Sequence, residues 1–224
     1  MTKGSVDPRA AIALLSGGLD SVVAAGLWLE RGGSIVRCVT FDYGQRAAAK
    51  EREAAQRFAR RRGLAWECVA MPWLAAVSKH AGSALVGDAA PLPSGTLQAP
   101  GDAASAAAVW VPARNCVFLS IGAAYAEAHG ASAVLAGFNR EEAATFPDNS
   151  EAFVAAASAF LRAGTRAEVR VEAPVQGLDK RGIVAAARRL LIARDELWSC
   201  YRGDAVACGA CESCLRSESA WVGA

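Results

Sequence analysis

The chain has 224 residues, a net charge of +2 and a hydrophobic fraction of 53%. That composition supports a buried core, excludes an intrinsically disordered chain, and gives no compositional case for a dedicated nucleic-acid binder. Met1–Arg9 is polar rather than signal-like, and no uncharged apolar run reaches the about 20 residues that span a bilayer, so the expectation is a cytoplasmic protein with no membrane partner.

Short apolar runs alternate with longer helical patterns. Strands are predicted at Ala11–Leu15, Ile35–Phe41, Ala65–Met71, Ala133–Gly137 and Val169–Ala173. Helices are predicted at Ser21–Arg31, Arg46–Arg62, Ala113–His129, Glu151–Ala163 and Asp179–Ala193, with Gly32-Gly33, Gly63 and Gly130 at their C-terminal ends. Such alternation implies an α/β fold, a parallel sheet with helices on both faces, and ligands at the carboxyl ends of the strands. Residues 1–195 are expected to form this domain, and residues 196–224 a small appendage packed on it.

The first strand runs into Leu15-Ser16-Gly17-Gly18-Leu19-Asp20-Ser21. Two glycines between a strand and a helix let main-chain N–H groups approach an oxyanion, and the helix start adds free donors and a positive dipole end. Ser16 and Ser21 add hydroxyl donors, and Asp20 suits Mg²⁺ or a turn cap. An ordinary strand-to-helix turn would also use serine and aspartate, but the combination favours phosphate. No lysine follows the glycines, so this is not a GxxxxGK[ST] loop, and it is not GxGxxG.

Phe41-Asp42-Tyr43-Gly44-Gln45-Arg46 ends the second strand. There Asp42 and Tyr43 suit a base or ribose, and Gln45 and Arg46 a carboxylate or phosphate; the plainer reading is a polar turn. Residues 77–110 break the pattern with Leu92-Pro93-Ser94-Gly95 and Gln98-Ala99-Pro100-Gly101, either a lid or a surface excursion. In Val111-Pro112-Ala113-Arg114-Asn115, Arg114 sits at a helix start, where the dipole disfavours a cation, so it is expected to reach an anionic ligand, the plainer reading being a surface arginine. After the fourth strand, Gly137–Glu142 and Thr145–Ser150 concentrate polar groups, among them Asn139 and Asp148, at a candidate acceptor pocket; Asn149 or Ser150 also suits a helix cap. Asp179-Lys180 opens the last long helix, and Lys180 is either a second anion ligand or simply exposed. His80 and His129 have no nucleophile motif near them, and Arg60-Arg61-Arg62 and Arg188-Arg189 read as solvated helix faces.

Of seven cysteines, Cys200, Cys208, Cys211 and Cys214 fall within fifteen residues. Four thiolates satisfy tetrahedral Zn²⁺ and leave no open position, so the site reads as structural zinc, with an iron–sulfur cluster as the rival. Gly203 and Gly209 are placed to allow the tight turns. Cys38, Cys68 and Cys116 read as buried packing residues.

The loop Ser16–Ser21 resembles the SGGxDS loop of the N-type ATP pyrophosphatases, which implies an adenine nucleotide α-hydrolase-like fold and adenylylation chemistry. Taken in order, that loop, FDYGQR at 41–46, VPARN at 111–115, LDK at 178–180 and the four cysteines resemble the QueC family of 7-cyano-7-deazaguanine synthases over nearly the whole chain. The resemblance implies conversion of 7-carboxy-7-deazaguanine and ammonia to a nitrile with ATP and Mg²⁺, structural Zn²⁺, a homodimer and no stable nucleic-acid partner. It assigns Asp20, Arg114 and Lys180 to catalysis, Leu15–Ser21 with Arg114 to ATP, and Phe41, Asp42, Tyr43, Gln45, Arg46, Asn139 and Asp148 to the acceptor. Arg140–Ser150 keeps Pro147-Asp148 but departs from the family's DYSGYPDCR-like segment, and Ala47 stands where a histidine is common. A paralogue with another acceptor, a tRNA-modifying pyrophosphatase and a non-catalytic nucleotide-binding regulator are the competing readings.

Overall fold

A computed structural model describes residues 6–88, 90–93 and 103–223. Five strands, β1 (Asp7–Leu14), β2 (Ser34–Asp42), β3 (Trp66–Ala70), β4 (Ala131–Leu135) and β5 (Arg170–Glu172), form one parallel sheet in the order β3-β2-β1-β4-β5. The chain winds outward from β1 to β3, then returns to lay β4 on the other side of β1. The order therefore reverses between β1 and β4, and the crevice beyond their carboxyl ends is where such a sheet takes ligands.

Alternating side chains of β1 build both cores. Ala10 and Ile12 enter one cluster with Val39, Phe41 and Val134, while Ala11, Ala13 and Leu15 enter the other with Val22, Val23 and Ile183. The second face is covered by α1 (Leu19–Glu30), α2 (Ala48–Arg61) and α8 (Lys180–Arg189), the first by α5 (Arg114–His129) and α7 (Glu151–Gly164). Small residues set the spacing: a Cβ at Gly122 would come within 2.8 Å of Val134, so α5 lies directly on β4.

Every predicted strand and long helix is present, with ends shifted by a few residues. Three further helices were not anticipated: α3 (Pro72–His80), α4 (Ala103–Ala108) and α9 (Glu212–Val222); a short α6 (Arg140–Ala143) follows β4. The stretch read as irregular from residue 77 begins inside α3. Ser94-Gly95 and Gln98-Ala99-Pro100-Gly101 lie outside the described residues. Of the rest, Leu85, Ala106, Val109 and Trp110 line a cleft, so the stretch is a wall rather than a plain surface excursion. Among the described residues, no helix is long and apolar enough to cross a membrane.

The basic clusters hold the C-terminal region in place. Arg61 pairs with Glu196, Arg62 donates to the Leu190 carbonyl and Arg189 pairs with Glu30. Cys116 is exposed and Cys68 half-buried, so only Cys38 is the fully buried packing thiol expected of all three.

Candidate active site

The loop between β1 and α1 is held open by its own side chains. The Ser21 hydroxyl accepts from the Ser16 N–H (3.2 Å) and donates to the Gly18 carbonyl (3.1 Å), and the two serine hydroxyls lie 3.0 Å apart. Gly17 has φ +79°, and a Cβ there would sit 2.6 Å from the Glu51 carbonyl oxygen, so both backbone angle and space require glycine. Gly137, after β4, is as tight: its Cβ would meet the Ser21 nitrogen at 2.6 Å. No side chain caps the first turn of α1, which leaves its N–H groups available to an anion.

Three charged groups meet beside this loop. Lys180 Nζ donates to Asp20 Oδ2 at 2.5 Å and to Glu142 Oε1 at 2.8 Å. Asp179 caps α8 by accepting from the Gly182 N–H, and the Lys180 N–H donates to Glu141, which fixes the lysine's direction. Burial pushes the Asp20 carboxyl up to about 6 despite Lys180, with Glu142 pushing the same way. Burial opposes ionisation of Glu142 too, but Lys180 prevails and its pKa is lowered; Lys180 itself stays charged because the two carboxylates outweigh its own burial. Asp20 Oδ1 is buried with no partner. Lys180, read as either a second anion ligand or simply exposed, is mostly buried and pairs with two carboxylates.

Arg114 comes from the far side. Ala113, before it, takes a left-handed φ of 52°, unusual for a residue with a Cβ. The guanidinium donates to the Tyr43 hydroxyl at 3.2 Å. Burial works against its charge, but Tyr43, Asp148 and Glu51 outweigh it. Glu51 and Asp148 are both pushed up by burial and partly restored by neighbours that include Arg114.

These groups line two joined chambers. The inner one, about 250 Å³, is bounded by Leu14, Phe41, Phe118, Leu119 and Phe138, and the outer, about 230 Å³, by Trp110, Phe146, Trp198, Tyr201 and Glu212. Ser16, Asp20, Glu51, Arg114, Glu142 and Asn149 border both. Phe41 stacks on Phe118 with centroids 4.1 Å apart, and Trp110 and Phe146 lie nearly parallel at 6.3 Å.

Of the residues expected at the acceptor, Phe41, Tyr43 and Asp148 line this cleft; Asp42, Gln45, Arg46 and Asn139 do not. Gln45 is buried and spent on its own turn, accepting from the Tyr43 N–H and donating to the Phe41 carbonyl and Glu51. Asp42 accepts from the Gly44 N–H and faces Arg52; Arg46 donates to the Ala90 carbonyl; Asn139 caps α6 through the Glu142 N–H. All four brace the walls. Glu51, Glu142, Trp110, Tyr201 and Glu212 were not singled out. Glu142 stood in a polar run after a strand, a usable signal, whereas nothing local separates Glu51 from the exposed Glu53.

The four cysteines converge with all sulfurs within 4.8 Å of one another. Cys200–Cys208 is 3.6 Å, and Cys208–Cys214 and Cys211–Cys200 are 4.0 Å. A tetrahedron with Zn–S bonds of ~2.3 Å has S···S edges of ~3.8 Å, so one ion fits, and a multi-iron cluster would need a wider cage. The Arg202 and Cys208 N–H groups donate to Cys200 Sγ and the Cys211 N–H to Cys208 Sγ. Burial opposes the Cys208 thiolate, but the Ala210 and Cys211 backbone N–H groups, with the Cys200 and Cys211 thiols, hold its pKa down at about 6. Gly209 has the positive φ expected of a tight turn; Gly203 instead allows close packing, since its Cβ would collide with the Arg46 carbonyl. The segment is tied to the site by the Trp198 N–H, which donates to the Gly17 carbonyl at 3.0 Å.

The profile described as "Queuosine biosynthesis protein QueC" matches residues 10–224. The chain belongs to the QueC family. Proteins named 7-cyano-7-deazaguanine synthase are similar along almost their full length: 45% identity with that of Pelotomaculum thermopropionicum (92% of this chain, 93% of the relative), 44% with that of Methanothermobacter thermautotrophicus (94% and 93%) and 43% with that of Bdellovibrio bacteriovorus (95% and 93%). A solved NMN synthetase from Francisella tularensis is a distant likeness, with a TM-score of 0.49 at 14% identity over 86% of this chain and 65% of that one. The 140–150 segment builds α6 and a short 3-10 turn, and delivers Glu142 and Asp148 to the cleft.

Proposed function

We propose that the chain is an ATP-dependent ligase that converts 7-carboxy-7-deazaguanine and ammonia to 7-cyano-7-deazaguanine in the cytoplasm, as a homodimer. Beyond family membership, the observation that carries this reading is the convergence of the Ser16–Ser21 loop, the Asp20–Lys180–Glu142 group and Arg114 on one cleft of two adjoining chambers.

ATP places its base in the inner chamber, against Phe41 and Phe118, and its phosphates on the loop and the first turn of α1. Asp20 Oδ1, buried and without a partner, fits a Mg²⁺ ligand; the ion would neutralise phosphate charge. The flat acid occupies the outer chamber with its carboxylate toward Arg114. A carboxylate is a poor acyl donor because its leaving group is oxide. Transfer of AMP to its oxygen makes AMP the leaving group, ammonia attacks the carbonyl carbon, and an amide forms. A second activation of the amide oxygen allows its departure and yields the nitrile. Arg114 and the loop N–H groups hold the charge that grows on the departing pyrophosphate, while Lys180 keeps Asp20 and Glu142 in position.

The direct test is incubation with ATP, Mg²⁺, ammonia and the acid, with mass detection. Nitrile is expected; ATP consumption without it would move the acceptor to another carboxylate. A pH profile adds a check. The Asp20 carboxyl lies at about 6, and only its ionised form serves a cation, so kcat/KM for ATP should fall as pH drops through that value, by about tenfold per unit. A level profile through that range would remove Asp20 from the metal-binding role.

A further inference from the structure

The cysteine segment does more than close a metal site, because its helix forms part of the outer chamber. Glu212 lies between the metal ligands Cys211 and Cys214, and Arg216 one turn on. Their side chains are 18% and 22% exposed and pair at 2.5 Å. The Glu212 N–H donates to the Pro93 carbonyl, and its second oxygen accepts from Ser105. A carboxylate offers about four acceptor positions. Arg216 and Ser105 take one on each oxygen, which leaves one on each for a ligand.

Among the described residues, the other carboxylates bordering this chamber have different partners. Asp20 and Glu142 hold Lys180, and Glu51 and Asp148 face Arg114. Trp110 and Phe146, in the same chamber, present near-parallel aromatic faces on which a flat heterocycle stacks. An aminopyrimidinone has one edge with two adjacent donors, the ring N–H and the exocyclic amine, spaced for two parallel bonds to one carboxylate. Resting on the function proposed above, we infer that Glu212 reads this amino edge of the acceptor base, with Arg216 keeping its carboxylate aimed. The metal then has a place in substrate recognition: it anchors the turn that carries the reading residue.

The test compares two acids, 7-carboxy-7-deazaguanine and the analogue lacking the exocyclic amine. Both nitrile formation and equilibrium binding by tryptophan quenching are followed, on the metal-loaded protein. The wild-type chain should prefer the acid that bears the exocyclic amine by about 10²-fold in kcat/KM, as expected when a built hydrogen-bond partner is left unpaired. Glu212→Gln should bring that preference to within severalfold, with KM for ATP and metal content unchanged, and Glu212→Asp should keep part of it. Equal losses on both acids in Glu212→Gln would mark Glu212 as structural, and undiminished preference would assign the amino edge elsewhere; either overturns the inference. If the wild-type chain forms no nitrile, the proposed function falls, and a binding preference lost in Glu212→Gln would still support the recognition role.

Discussion

Asp20→Ala is expected to abolish turnover, by about 10³-fold or more, and to leave the fold intact. The two effects separate because Asp20 belongs to a group of two carboxylates and one lysine. Removing it leaves Lys180 paired with Glu142, a neutral couple. Burial already pushes the Asp20 carboxyl up to about 6; a folded-state value above the unfolded one means that ionising it at neutral pH works against folding. Lys180→Ala should behave differently. It leaves two buried carboxylates without their cation, and breaking such a group costs about 3–5 kcal/mol. The loss should grow as pH rises and both acids ionise, and shrink as one takes up a proton. Urea unfolding of both variants at two pH values, beside turnover, distinguishes them. An Asp20→Ala protein that unfolds more readily than Lys180→Ala would make Asp20 structural and remove its catalytic assignment.

Stripping the metal should have the second large effect. The protein as purified is expected to be colourless with one zinc per chain; a brown protein would indicate iron–sulfur instead. Without the ion, four thiol groups lie within 4.8 Å of one another with nothing to hold them. Structural zinc contributes folding free energy directly, and a loss of even ~3 kcal/mol lowers Tm by about 6–12 °C in a chain of this size. The damage should not stay local. The Trp198 N–H holds the Gly17 carbonyl, the Gly203 backbone packs against Arg46, and α9 sends Ala220 into the core between α1 and α8. Chelation, or Cys211→Ala, should therefore reduce nitrile formation along with Tm. An apoprotein with unchanged Tm and turnover would show that the cysteines need no ion.

The segment at 140–150 bears on both results. It retains Asp148 at the cleft and supplies Glu142, the second carboxylate on Lys180. The segment is thus part of the charged centre.

Much of the fold was readable locally. A five-strand α/β pattern follows from apolar runs separated by helical periodicity, and glycines such as Gly63 and Gly130, both with positive φ, mark where helices stop. The glycine loop was legible for the same reason: strand, turn and helix start are consecutive, so their chemistry is written in adjacent residues. The cysteine spacing was equally local. α9 was hidden, because its mixed polar sequence gains helical stability from packing against α8 rather than from its own pattern.

Other assignments depended on contacts that no local pattern carries. Gln45 and Asn139 are polar residues after strands, as ligand-binding residues are, yet their amides close their own turns. Glu51 faces the cleft while Glu53, two positions on, faces solvent; helix rotation against the sheet decides between them. Lys180 looked like a free cation until folding brought Asp20 to it across 160 positions. The sequence by itself determined the parallel sheet, the glycine turn between strand and helix, and the four clustered cysteines, because each rests on neighbours in the chain. Only the tertiary structure decided which charges remain open to a ligand and that the metal segment forms a wall of the site, because pairing and burial are settled between distant residues.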